Sequence, residues 1–238
     1  QDGKWDFSLK DNGAPSNTTY CLRAVKAYSI DNSSYSNKSF YVGGLEPTPR
    51  GVHFKPDGTK MYITGETSDK VLEYVLSTPW DVSTASFNAS TTTGNQDTSE
   101  EDLYFSSDGT KMYILGASNI AVFQYSLSTP WSVTTASYTG KSFYVGNQAP
   151  WPRGLAFSYD GTKMYVTDDN TDKIYSYTLS TAWDISTATS TSSFSVTDKE
   201  PIPLGIGFDR EGVRMFVVGP NFDRVNEYTL STPWDITT

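Results

Sequence analysis

One stretch of the chain concentrates groups that could do chemistry. Asp97-Thr98-Ser99-Glu100-Glu101-Asp102 puts four carboxylates within six residues. Oxygen donors at that density suit a hard cation, with Ca²⁺ the natural ion. Two of them, or a pair drawn from Glu46, Glu100, Glu101, Asp102 and Glu200, could instead divide the work of acid and base. A second cluster, Asp168, Asp169, Asn170 and Asp172, is the best loop candidate for a weak metal or glycan contact. Arg50 and Arg153 can pair with carboxylates or hold an anion, and Trp151 offers a ring on which a sugar can stack. Thiol and imidazole chemistry is almost excluded, because Cys21 and His53 are the sole residues of their kinds. They cannot build a zinc site or a Ser/His/Asp or Cys/His set, nor can one cysteine make an internal disulfide. His53 reads as a packed structural histidine.

The elements that must position these groups are set by an internal repeat. Asp-Gly-Thr-Lys-Met-Tyr occurs at Asp57–Tyr62, Asp108–Tyr113 and Asp160–Tyr165, with a worn fourth copy at Glu211–Phe216. The turn glycines fall at 58, 109, 161 and 212, so the spacings are 51, 52 and 51. A second marker, Leu-Ser-Thr-Pro/Ala-Trp, ends at Trp80, Trp131, Trp183 and Trp234 with the same spacings. Two markers in phase over four copies define a structural unit of about 51 residues.

Each unit reads as four short strands. In the third copy, Gly154–Phe157 runs into an Asp-Gly hairpin turn, where glycine accepts the positive φ the turn needs. Lys163–Thr167 follows, and then Lys173–Leu179, whose alternation marks a strand with two differently packed faces. A Ser/Thr-rich fourth strand ending in aromatic residues is exemplified by Ser142–Val145. Four antiparallel strands per unit predict an all-β fold, a β-propeller with four-stranded blades. Four blades are expected over residues 35–238, with five as the alternative. The fourth copy stops where its last strand should begin, and Ser36–Gly43 matches that strand, so the N-terminal strand is expected to complete the C-terminal blade. Four copies could also supply half of an eight-bladed ring in a dimer. Residues 1–34 read as a separate N-terminal β segment, either a degenerate blade or the remnant of another domain. Its run Thr19–Val25 with Ser34–Asn37 resembles the last strands of a fibronectin-type-III-like domain. The chain opens on Gln1 without an initiator Met or a leader, which reads as a processed product or a fragment.

Residues shared by every blade are scaffold, so a single site should lie where the copies differ. Aligned on the turn glycine, Arg50, Glu101, Arg153 and Leu204 are equivalent, as are Gly51, Asp102, Gly154 and Gly205. These positions precede the first strand of each blade, at the mouth of the central channel. The second copy is acidic where the others carry Pro, Arg or Leu. The expected ligand site is therefore Arg50, Glu100, Glu101, Asp102, Trp151 and Arg153, with a plain electrostatic plug of the channel as the simpler reading.

Residues 36–238 resemble the YVTN/lactonase-like propellers, whose first corner has the form Phe-x-x-Asp-Gly-x-x-x-Tyr-Val. They are closer still to the DGTKMY…LSTPWD repeats of secreted bacterial proteins and phage tail or fibre proteins. The resemblance implies a propeller fold and a surface setting. Lactonase-like enzymes have about seven blades with metal-binding or acid/base residues in the pore, against four clear repeats here.

Composition narrows the partners. With 27 acidic against 18 basic residues and a net charge of −9, the phosphate-binding footprint of a nucleic-acid partner is missing. An anionic membrane surface would repel the chain, and no apolar run is long enough for insertion. Abundant Tyr and Trp, together with a repeat that offers multivalency, favour a non-enzymatic binding or adhesion module. It would be extracellular or on a virion surface, engaging glycans or a cell-surface protein, without a resident cofactor and within a larger multidomain or oligomeric assembly. A structural spacer is the first alternative, and a hydrolase or lactonase-like enzyme with its site at the channel mouth is the second.

Overall fold

The computed structural model describes residues 34–238, and the expectations for residues 1–33 lie outside it. Among the described residues all regular structure is β, apart from three single turns of 3₁₀-helix. Blade 1 comprises β1 (Pro49–Phe54), β2 (Lys60–Gly65), β3 (Lys70–Leu76) and β4 (Ala85–Thr92). Blade 2 comprises β5 (Glu100–Phe105), β6 (Lys111–Gly116), β7 (Ala121–Leu127) and β8 (Ala136–Tyr144). Blade 3 comprises β9 (Pro152–Phe157), β10 (Lys163–Asp168), β11 (Lys173–Leu179) and β12 (Ala188–Ser195). Blade 4 comprises β13 (Gly205–Phe208), β14 (Arg214–Gly219) and β15 (Arg224–Thr229). Neighbours in sequence are neighbours in each antiparallel sheet, as hairpin connections require. The four-bladed propeller architecture is therefore as the repeat predicts.

The same corner recurs in every blade. The glycine of the Asp-Gly turn has φ of +70 to +72°, and the tryptophan 22 residues on has φ of +62 to +65°. The Trp80 N–H donates to the Gly58 carbonyl at 3.0 Å, and Trp131, Trp183 and Trp234 repeat the bond to Gly109, Gly161 and Gly212. A methyl group on Gly58 would lie 2.4 Å from the Trp80 indole. Glycine is needed here twice, for its backbone angle and for the ring laid against it. The corner latches the turn between the first two strands to the loop after the third.

Blades pack face to face through a repeated aromatic triad. Tyr62 of blade 1 lies 4.4 Å from Phe105 of blade 2, which lies 5.3 Å from Trp131. Tyr113, Phe157 and Trp183 repeat this between blades 2 and 3, and Tyr165, Phe208 and Trp234 between blades 3 and 4. Each tyrosine is buried and would leave its hydroxyl unsatisfied, so each donates to the carbonyl of the next blade's tryptophan: Tyr62 to Trp131 at 2.8 Å, Tyr113 to Trp183 at 2.7 Å and Tyr165 to Trp234 at 2.6 Å.

The ends differ from the expectation. Among the described residues blade 4 has three strands, and residues 36–43 are in no strand. That segment instead packs on blade 1, with Phe40 edge-on to Tyr74 at 5.2 Å and Lys38 paired with Asp81 at 2.7 Å. The aromatic match that identifies it as a last strand is genuine, but the contact it satisfies is with the following blade.

Candidate functional site at the channel mouth

The first strands, β1, β5, β9 and β13, lie side by side along the channel, β1 against β5, β5 against β9 and β9 against β13. In three of them the strand is bulged. Arg50 falls between the paired residues Pro49 and Gly51, and Glu101 between Glu100 and Asp102. In β9 the shift lies between Pro152 and Leu155 and takes in Arg153. A bulge re-aims side chains that regular alternation would send to opposite faces, so Glu101 and Asp102, adjacent in sequence, both reach the channel. They line a cavity of about 360 Å³ with Arg50 and Arg153, walled on its apolar side by Val52, Leu204, Ile206, Phe216, Val218 and Val225.

The charges are tied into a short network. Arg153 Nη1 donates to Glu101 Oε1 at 2.8 Å across the boundary between blades 2 and 3, while its Nε donates to Asp169 Oδ2 at 2.7 Å. Arg50 pairs within its own blade with Glu66, at 2.6 Å. Of the two arginines only Arg153 thus pairs with a carboxylate of another blade. Burial raises the Glu101 pKa above the usual carboxylate range, against the opposing pull of Arg153.

Asp102 is the unusual group. Three blades carry glycine at its position, and Gly51 leaves it room: a methyl group there would come within 2.7 Å of Asp102 Oδ1. Its Oδ2 accepts from the Leu155 N–H and its Oδ1 from the Leu103 N–H, each at 2.8 Å. Loss of hydration between two blades pushes its pKa up to about 7, against those two bonds, and the Glu101 charge adds to the rise. The result is a carboxyl fixed in orientation and poised to gain or lose a proton near neutrality.

The other expected residues lie elsewhere. Glu100 is buried and takes hydrogen bonds from the Thr64 and Thr93 hydroxyls; burial pushes its pKa up to about 7. Trp151 is exposed and outside the cavity lining, and its backbone N–H donates to Asp168 Oδ2 at 2.6 Å. His53 sits between the rings of Tyr104 and Phe105, at 4.9 and 5.5 Å, and burial lowers its pKa to about 4. It is the packed structural residue expected.

The Asp168 cluster has a local structural role. Glu46, Asp97 and Glu200 each accept backbone N–H groups from two loops of their blades, Glu46 from Thr48 and Ser68, for example. Blade 3 has Ala149 at that position and supplies the carboxylate from the facing strand, where the other blades have Gly65, Gly116 and Gly219. Asp168 accepts from the Trp151 and Thr171 N–H groups in the same way. Asp169 is held by Arg153, and Asp172 accepts from the Thr197 hydroxyl. Among the described residues no three His, Cys, Asp or Glu side chains come together as metal ligands, and no helix is long and apolar enough to cross a membrane.

Antiparallel sheets, three of four strands and one of three, packed face to face along a channel define a β-propeller. The chain belongs to the lactonase, seven-bladed β-propeller family, which it matches over residues 24–191. No curated protein sequence matches it. Among solved structures it is similar to a candidate 6-phosphogluconolactonase of Bacteroides uniformis, with 16% identity, a TM-score of 0.54, and coverage of 81% of this chain and 54% of that one. It is similar to a periplasmic gluconolactonase of Pseudomonas aeruginosa at 18% identity and a TM-score of 0.52, covering 76% of this chain and 49% of the other. The hydrazine synthase of Kuenenia stuttgartiensis gives 17% identity, a TM-score of 0.51 and coverage of 82% and 49%. At these identities the likeness shows the fold, and the chain spans about half the length of these structures. The family match overturns the reading of the chain as a non-enzymatic adhesion module.

Proposed function

We propose that the chain contributes a lactone-hydrolysing site at the channel mouth, with Asp102 as its general base. The observation that carries this is a carboxyl at a position otherwise held by glycine, fixed by two backbone N–H groups, titrating near neutrality and lining the same cavity as Arg50 and Arg153. A base works best when its pKa is near the operating pH. Asp102 would take a proton from water as the oxygen attacks the ring carbonyl, forming the tetrahedral oxyanion. Arg153, oriented by Glu101 and Asp169, supplies positive charge for that oxyanion. As the ring C–O bond breaks, the proton held by Asp102 passes to the departing alkoxide, and a hydroxy acid leaves. The half-apolar cavity accommodates a compact ring, and Arg50 offers a second cation for a substrate bearing an anionic substituent.

Release of acid from a panel of aldonolactones, phosphorylated and plain, tests this. Asp102→Asn should lower kcat about 10²–10⁴-fold, the usual contribution of a positioned base, and Arg153→Gln should lower it through loss of oxyanion stabilisation. A folded wild-type chain that never exceeds the spontaneous rate, or an undiminished Asp102→Asn variant, would overturn the reading.

A further inference from the structure

The two end blades carry complementary halves of one interface. At each internal boundary a lysine and a tyrosine of one blade donate to the tryptophan carbonyl of the next: Lys60 and Tyr62 to Trp131, both at 2.8 Å, with the pattern repeated at Trp183 and Trp234. In blade 4 the donor positions hold Arg214 and Phe216. Arg214 Nη1 lies 3.4 Å from Glu227 Oε1 of its own blade and has no hydrogen-bond partner among the described residues. In blade 1 the Trp80 carbonyl likewise has no donor among them, and Trp80 is 59% exposed where Trp131 is 8%.

The apolar surfaces match in the same way. Val71, Val122 and Ile174 are fully buried against the following blade, while their counterpart Val225 is 45% exposed. Leu103 and Leu155 are buried against the preceding blade, while Val52 is 56% exposed. Phe54 and Trp80, 5.6 Å apart, form two-thirds of the aromatic triad, and Phe216 is the type of residue that completes it.

A last strand is already in place on the receiving side. Phe40 meets Tyr74 edge-on at 5.2 Å, as Phe143 meets Tyr177 at the same distance. Lys38 reaches Asp81 as Lys141 reaches Asp184. Residues 36–43 therefore hold, on blade 1, the place that a preceding blade's fourth strand holds at the internal boundaries, and among the described residues no strand pairs with the outer edge of β15.

We infer that blade 4 of one copy docks on blade 1 of a second copy, and blade 4 of the second on blade 1 of the first, closing an eight-bladed ring of two chains. Each copy's residues 36–43 then pair with β15 of the other. The contact is head to tail and closes because two copies return to the start. It continues an interface the chain makes three times internally, and it removes two sheet edges that would otherwise recruit other strands. The docked faces include Val52, Phe216 and Val225, which also wall the channel-mouth cavity, but the test reads mass and not turnover, so its failure and that of the lactonase reading are distinguishable.

Sedimentation velocity of the full chain at micromolar concentration tests it. The wild type should sediment at twice the 26.3 kDa of one chain. Val52→Asp and Val225→Asp, both at exposed positions and so compatible with folding, should each sediment as monomers. An equimolar mixture of the two variants should recover the dimer, because one boundary is then built from two unaltered faces. A wild-type monomer, whether its end faces are open or covered by its own first 33 residues, overturns the inference. Variants that remain dimeric, or a mixture that stays monomeric, exclude the head-to-tail geometry.

Discussion

Asp102 shows how a single residue can depart from a repeat and acquire a chemical role. Its position is legible in the sequence, because aligning the four copies sets it against Gly51, Gly154 and Gly205. What the alignment does not reveal is that Glu101 and Asp102 share the channel, since two adjacent strand residues ordinarily face opposite ways. The bulge that brings them together depends on the pairing of β5 with β6. The bonds of Asp169 and Glu66 to the two arginines were hidden for a related reason, as loop side chains find partners only after the blade is built. The shifted acid predicts its own pH behaviour. Its folded pKa of about 7 stands above the ordinary 3.8, so the folded state favours the protonated form. The stability it supports is whole below about pH 4 and lost as pH climbs through 7. Asp102→Asn should therefore melt higher than the wild type at pH 8, by at least about 2–4 °C, and the gap should close at pH 4. Turnover should run the other way, rising through pH 7 as the base ionises. The carboxylate exchange in blade 3 gives a second prediction: Asp168→Gly should cost about 1–3 kcal/mol by stranding buried N–H groups. Ala149→Glu in that background, which rebuilds the arrangement of the other blades, should restore most of it in denaturant titrations.

At the scale of strands and blades, the Asp-Gly turns and the Ser-Thr-Pro-Trp markers locate every first, second and third strand, and the third copy's β11 keeps its expected bounds of Lys173–Leu179. The fourth strands are longer than their aromatic ends suggest; β8 begins at Ala136, because Ala136–Tyr138 also pair with β7, across a bulge that takes in Thr139 and Gly140. Where the reading fails is the destination of residues 36–43. Sequence similarity identifies a strand type but cannot tell which of two flanking blades holds it. The blade boundaries also expose a gap. Glu73 accepts from the Val133 N–H and Gln124 from the Ile185 N–H, linking each blade to the next. The third equivalent is Ser176, too short to reach Ile236, and a cavity of about 210 Å³ opens between them. Ser176→Gln should rebuild the bond and raise the melting temperature by about 2–4 °C, the worth of about 1 kcal/mol in a chain of this size. No change, with the introduced amide facing solvent in a crystal structure of the variant, would show that the cavity is already bridged by water.

For the whole molecule, stability should be distributed as in a one-dimensional array, each blade supported by its neighbours. Blades 2 and 3 are flanked on both sides, whereas the β15 residues are largely exposed. In dilute solution, amide exchange in β14 and β15 should therefore run faster than in β6 and β7 through local opening. If two copies close the ring, that difference should shrink as protein concentration rises, and the melting temperature should rise with it. Equal protection at every dilution would show that blade 4 needs no neighbour. The four-blade count was readable because repeats announce themselves, but the ends are defined only by what they fail to touch.

The glycine–tryptophan corner has a genealogical consequence. Both of its residues come from one blade, so a unit copied or deleted in the gene carries its own fastening with it and leaves none of its neighbours undone. Nothing inside a unit records how many siblings it has. Lineages built on this corner can gain or shed whole blades in single steps, with selection acting mainly on whether the terminal units find something to lean on.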